Sequence, residues 1–131
     1  NFNLSLNWIF GKLFYPMAWA MGVPSADISN VATLLGQKLT INEFVAFLNL
    51  ADLKSAGLYN DPRNLMIMTY ALCGFANVGS IGIMTGGMTV LMPERRNEIL
   101  KLAWKALIPG FLATCLSATI VAALPMGVFV H

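Results

Sequence analysis

Gly36-Gln37-Lys38-Leu39-Thr40-Ile41-Asn42-Glu43-Phe44-Val45-Ala46-Phe47 sets a lysine, an asparagine and a glutamate inside otherwise apolar sequence. The apolar pieces on either side are too short to cross a bilayer, which takes about 20 residues of helix. Downstream lie two stretches that are long enough. An ionisable side chain at membrane depth costs roughly 2.5–3.5 kcal/mol on insertion scales. Glu43 therefore needs a partner, a water-filled cavity or a ligand, and it reads as the polar centre of a site. Lys38 to Ile41 read as a tip between two half-length helices. Gly36 closes the first, and Asn42 is placed to cap the second, which runs to about Leu53.

Two half-helices joined by a polar tip make a re-entrant hairpin over residues 25–57. Ser25 or Asp27 can cap its first helix, and Ile28, Val31, Leu34 and Leu35 follow at helical spacing. Lys38, in the tip, is expected to reach water. A helix-start carboxylate at the membrane surface is the plain alternative for Glu43, but Leu34, Leu35, Phe44, Val45 and Phe47 around it argue for depth.

Composition agrees with a membrane protein. The 131 residues are 57% hydrophobic and 11% charged, with a mean hydropathy of +0.69, whereas soluble domains carry about 25% charged residues. A net charge of +2 without a basic, aromatic-interleaved patch gives no footprint for nucleic acid. Cys73 and Cys115 sit in apolar runs, and the only histidine is His131, so neither a disulfide framework nor a metal set is expected. The chain starts at Asn1 without a signal-peptide pattern, which reads as a fragment or a processed chain.

Residues 1–24 hold Trp8, Phe10, Phe14, Tyr15 and Trp19, interrupted by Gly11 and Pro16. Such a run suits an amphipathic helix lying in the interface. After a polar exit, Pro62 is placed for a first helical turn behind Asn60 or Asp61. Asn64 to Met92 carries no charge and reads as a span within residues 61–92. Gly74 and Gly79 flank Asn77, and each glycine weakens a helix by about 1 kcal/mol relative to alanine. A break is therefore expected near 75–79, leaving Asn77 free either to bind something or to make an interhelical hydrogen bond. Gly86-Gly87 reads as close packing.

Residues 93–131 form a connection and the last span, Ala106 to Val130. Arg95, Arg96, Lys101 and Lys105 make that connection cytoplasmic by the positive-inside rule, with residues 54–63 and His131 opposite. Ala106, Gly110, Thr114, Ala118 and Ala122 form a small-residue stripe that permits close helix packing. Pro109 predicts a kink. There is no H-E-x-x-H, no serine nucleophile with a histidine partner, and no second carboxylate at a fixed short spacing from Glu43, so an enzyme is not expected.

At these residues the chain resembles the concentrative nucleoside transporter family. Its signature is a small residue, any residue, Lys, three residues, then Asn-Glu-Phe-Val-Ala and an aromatic or Met; Gly36 to Phe47 match throughout. Ala71-Leu72-Cys73-Gly74-Phe75-Ala76-Asn77, Ser80-Ile81-Gly82-Ile83, Pro93-Glu94-Arg95-Arg96 and the Phe14 to Pro24 stretch match as well. The resemblance implies an all-α integral membrane fold, one half of an inverted-repeat transporter: re-entrant hairpin, broken transmembrane helix, last helix. It implies a cation symporter for nucleosides in the cytoplasmic membrane, working as a homotrimer. The substrate contacts fall by resemblance on Glu43, Phe75, Asn77 and Ser80. No cofactor is implied; the coupling ion is sodium or proton, its site expected in a preceding half. A carboxylate and an amide suit ribose hydroxyls, which both donate and accept. A carrier for another polar solute and a structural membrane domain, its Glu43 paired with a partner, are the other two readings.

Overall fold

The computed structural model describes residues 5–58, 61–125 and 127. The described residues are helical, in the order α1 (Leu6–Leu13), α2 (Tyr15–Ala20), α3 (Ile28–Thr40), α4 (Glu43–Ser55), α5 (Pro62–Leu72), α6 (Val78–Leu91), a 3-10 turn (Pro93–Arg95) and α7 (Arg96–Ala123).

α3 and α4 make a tight hairpin. The glycine expected to end α3 does not end it. Gly36 lies mid-helix, where a Cβ would overlap Phe10 Cβ and Cγ. Its missing side chain is a notch for the α1 aromatic, and the helix runs on to Thr40. The turn is accordingly Ile41-Asn42 rather than the whole Lys38 to Ile41 tip. Asn42 caps α4, its Oδ1 accepting from the Val45 N–H at 2.9 Å. Asp27 stands at the start of α3 without a side-chain capping bond; its Oδ2 instead accepts from Asn64 Nδ2 at 2.8 Å, tying the starts of α3 and α5 together.

The aromatic N-terminal run is two helices, not one. Phe14 separates them, and Pro16 enters α2 in its first turn, where a missing N–H costs nothing. Both pack on α3. A polar chain crosses the α1–α3–α4 contact: Gln37 Nε2 donates to Asn7 Oδ1 at 3.2 Å, and Asn49 Nδ2 donates to Gln37 Oε1 at 2.7 Å.

α5 begins as read, with Asp61 Oδ1 accepting from the Arg63 N–H at 2.9 Å; Asn60 lies outside the described residues. Its buried stripe of Ile67, Met68, Ala71 and Leu72 meets Val31, Leu34 and Leu35 of α3, and Phe111, Cys115 and Ala118 of α7 complete the core. Each such large side chain contributes about 1.5–3 kcal/mol by leaving water. The Arg63 guanidinium donates to the Ala122 carbonyl at the end of α7, holding that end against the start of α5.

Two expected spans become one long helix and two half-length ones. The helix with enough length and hydropathy to cross a bilayer among the described residues runs from Pro93 through Ala123, with a mean hydropathy of 1.9. α7 therefore starts ten residues before Ala106 and takes Lys101 and Lys105 into the helix. It is continuous through Pro109. Val130 and His131 lie outside the described residues. Asn64 to Met92 is divided at Cys73–Asn77, slightly earlier than 75–79. Gly86 and Gly87 do not pack closely within this chain: a Cβ at either would meet nothing within 4 Å. Ile83, Val90 and Leu91 on α6 are each about 80% exposed.

Candidate functional site

The break between α5 and α6 has two local causes. Gly74 has a φ of 135°, a conformation L side chains rarely adopt. A Cβ there would also stand 2.6 Å from Thr114 Cγ2 on α7. The small-residue stripe of α7 thus lies against the non-helical segment, with Gly110 facing the Ala76 side chain. α6 then restarts on its own cap: Asn77 Oδ1 accepts from the Ser80 N–H at 2.7 Å.

Asn77 is also the bridge to the hairpin. Its Nδ2 donates to Glu43 Oε2 at 2.5 Å. Glu43 is the first residue of α4, and Asn77 immediately precedes α6. Two half-helix N-termini, each carrying a partial positive charge, therefore converge on one carboxylate. Asn77 is 2% exposed and Glu43 is half-buried. The amide caps its helix and also makes the interhelical bond, the second of the two roles left open for it. The capping role was legible: asparagine is among the best N-cap residues.

Phe75, Asn77 and Ser80 line a cavity of about 330 Å³, together with Gly74, Met84 and Thr114. That lies at the lower end of the roughly 300–1,000 Å³ of small-molecule pockets. Glu43 does not line this cavity; it touches the group from the hairpin side through Asn77. Phe75 is 77% exposed. Glu43 Oε1 and the Ser80 hydroxyl make no hydrogen bond among the described residues, leaving an acceptor and a hydroxyl uncommitted beside the amide.

Lys38 is a correction. Instead of reaching water it is fully buried. Its Nζ donates to the Ala71 carbonyl and to Thr114 Oγ1, both at 2.7 Å. Thr114 was visible only as a small residue in a stripe; nothing in the spacing announces it as the acceptor for a lysine on another helix.

A helical hairpin set against a broken helix, with half-helix N-termini facing a shared polar centre, is the architecture of secondary membrane transporters. The family model described as "Na+ dependent nucleoside transporter C-terminus" matches residues 1–122, and the chain belongs to that family of membrane transporters. It is 36% identical to nucleoside permease NupC of Helicobacter pylori over 131 residues, covering 98% of this chain and 31% of that protein. It is 40% identical to sodium/nucleoside cotransporter 1 of Rattus norvegicus, covering 95% of this chain and 22% of that one. The solved structure of CNTnw in an inward-facing substrate-bound state superposes with a TM-score of 0.86 at 38% identity, covering 92% of this chain and 29% of that one. Across such curated relatives the chain spans 18% to 31% of their length.

Proposed function

We propose that this chain is the C-terminal part of a cation-coupled nucleoside importer, and that it supplies the ribose side of the substrate site. The observation that carries the reading is the Glu43–Asn77 bond at two facing helix N-termini, beside the uncommitted Glu43 Oε1 and Ser80 hydroxyl. Adjacent ribose hydroxyls can donate to the carboxylate and accept from the amide. Phe75, exposed at the cavity rim, offers an apolar face to the rest of the nucleoside.

α3–α4 is the re-entrant hairpin, α5 and α6 together the broken transmembrane helix, and α7 the last span. The proposed division is 1–24, 25–57, 61–92 and 93–131. α1 and α2 lie along the interface. The exposed apolar faces of α6 and α7 are covered by lipid or by the remainder of a multi-pass, homotrimeric transporter in the plasma membrane. Sodium or proton is the coupling ion, bound outside this chain. The basic segment around Arg95 and Arg96 faces the cytoplasm.

The test is equilibrium binding of uridine and its 3′-deoxy analogue to the purified complete transporter. Hydrogen bonds to a charged group contribute about 1.5–3 kcal/mol. Glu43→Gln should therefore weaken uridine by about tenfold to a hundredfold, and the deoxy analogue should lose little further. Unchanged uridine affinity in a well-folded Glu43→Gln protein removes Glu43 from the site and favours a structural role.

A further inference from the structure

We propose that Lys38 is a positioning residue for this site: a tethered cation that fills the C-terminal end of α5 and holds the broken segment carrying Phe75 and Asn77. The proposal rests on the site reading above, and it adds a second charged group delivered by the same hairpin.

α5 stops at Leu72, and its last carbonyls face a segment that no longer offers helical N–H donors. The Cys73 N–H still bonds to Thr69 O. The Ala71 carbonyl receives Lys38 Nζ instead. The second acceptor, Thr114 Oγ1, spends its own hydrogen on the Phe111 carbonyl at 2.8 Å, so its lone pairs face the lysine. The Phe111 ring centroid lies 5.6 Å from Nζ, within cation–π range. A helix C-terminus, a hydroxyl oxygen and an aromatic face all favour a cation. Carbonyls at half-helix C-terminal ends are also where carriers of this architecture hold coupling cations. Here the ammonium of a side chain occupies the Ala71 carbonyl in such a place.

The same groups fix the geometry of the break. Thr114, held by Lys38, is the residue whose methyl occupies the space a side chain at Gly74 would need, and Gly74 leads through Phe75 and Ala76 to the Asn77 cap. Loss of the cation leaves two oxygens without their donor and frees the segment that aims Asn77 at Glu43.

The experiment uses the complete transporter without nucleoside and follows amide hydrogen exchange across residues 70–80, alongside uridine binding. Lys38→Met keeps the stem and removes the donors. It should speed exchange there and weaken uridine, each by at least about tenfold, the weight that one of the two unsatisfied acceptors carries alone. In Lys38→Ala, propylammonium, which matches the lost Cγ to Nζ, should restore both readouts in a concentration-dependent way, and neutral 1-propanol of the same length should not. Wild-type exchange in Lys38→Met overturns the proposal, as does equal rescue by the alcohol, which shows that a neutral donor suffices and the charge is not needed. If the lysine variants fail to fold, Thr114→Val carries the test: faster exchange at 70–80 supports the clamp, and unchanged exchange overturns it. Glu43→Gln separates the two readings. If it leaves uridine binding intact while Lys38→Met still loosens the segment, the site assignment fails and the clamp stands.

Discussion

Gly74→Ala should be the most damaging single methyl added to this chain, for two separable reasons. The backbone there has a φ of 135°, and a non-glycine residue in such a region costs about 1–3 kcal/mol. The new Cβ would also stand 2.6 Å from Thr114 Cγ2, well inside the roughly 3.5–4.0 Å at which carbon atoms attract. Relieving such a contact by moving α7 or the broken segment costs about 1–3 kcal/mol. The total is about 2–6 kcal/mol, enough to move the midpoint of unfolding clearly. Thr114→Ser dissects it. Serine lacks the offending methyl but keeps the hydroxyl that receives Lys38 and donates to the Phe111 carbonyl. In the serine background Gly74→Ala should lose only the backbone share, giving a coupling of about 1–3 kcal/mol. The assay is denaturant or thermal unfolding of the four purified complete transporters. Additivity within about 0.5 kcal/mol would show that α7 does not press on Gly74. Wild-type stability of Gly74→Ala alone would refute the backbone argument too.

Gly36→Ala should force Phe10 out of its notch and destabilise by about 1–3 kcal/mol from overpacking, less about 1 kcal/mol of helix propensity; unfolding of the single variant and of its pair with Phe10→Leu checks this, the pair losing less than the sum. Asn77→Ser should keep the α6 cap, because serine caps about as well as asparagine, yet weaken uridine binding by removing the donor to Glu43; equal losses of stability and affinity relative to Asn77→Ala would contradict the division of roles. In a variant lacking Cys73 and Cys115, a cysteine at Ala56 should label from outside intact cells and one at Asn97 should not; the reverse pattern would invert the proposed orientation.

The parts of the fold that were legible are those written in local chemistry. Asn42 and Asp61 cap as read, because an N-cap side chain reaches only its own first turn. The hairpin followed from two short apolar pieces around a polar turn, and the break from Gly74 beside Asn77. The misreadings concern glycine and lysine, whose meaning depends on what arrives from elsewhere in the chain. Gly36 read alone is a helix stop; with Phe10 from α1 seated on it, it is a packing notch. Lys38 read alone belongs in water; its acceptors lie 33 and 76 residues away in sequence, beyond any local pattern. Glu43 and Asn77 meet across 34 residues; the resemblance placed both at one substrate, and no local pattern pairs them with each other.

That pairing also accounts for why a hairpin and a broken helix occur together. A broken helix exposes two unlike ends: the carbonyl end of α5 is partially negative and the N–H end of α6 partially positive. One hairpin meets both. Lys38, near the end of α3, reaches the α5 carbonyl end, and Glu43, at the start of α4, reaches the α6 cap. Each charge is matched in sign to the dipole it faces. A lysine at depth costs about 2.5–3.5 kcal/mol, while its two hydrogen bonds contribute about 1.5–3 kcal/mol each, so the buried ammonium is sustained by its own partners. Glu43 is treated differently: a single bond to Asn77 leaves one of its oxygens uncommitted among the described residues. The lysine, with two hydrogen bonds and an aromatic face, is the better satisfied member of the pair and therefore the fixed one. The glutamate retains acceptor capacity at the turn of the hairpin, which is what the proposed hydroxyl-binding role requires.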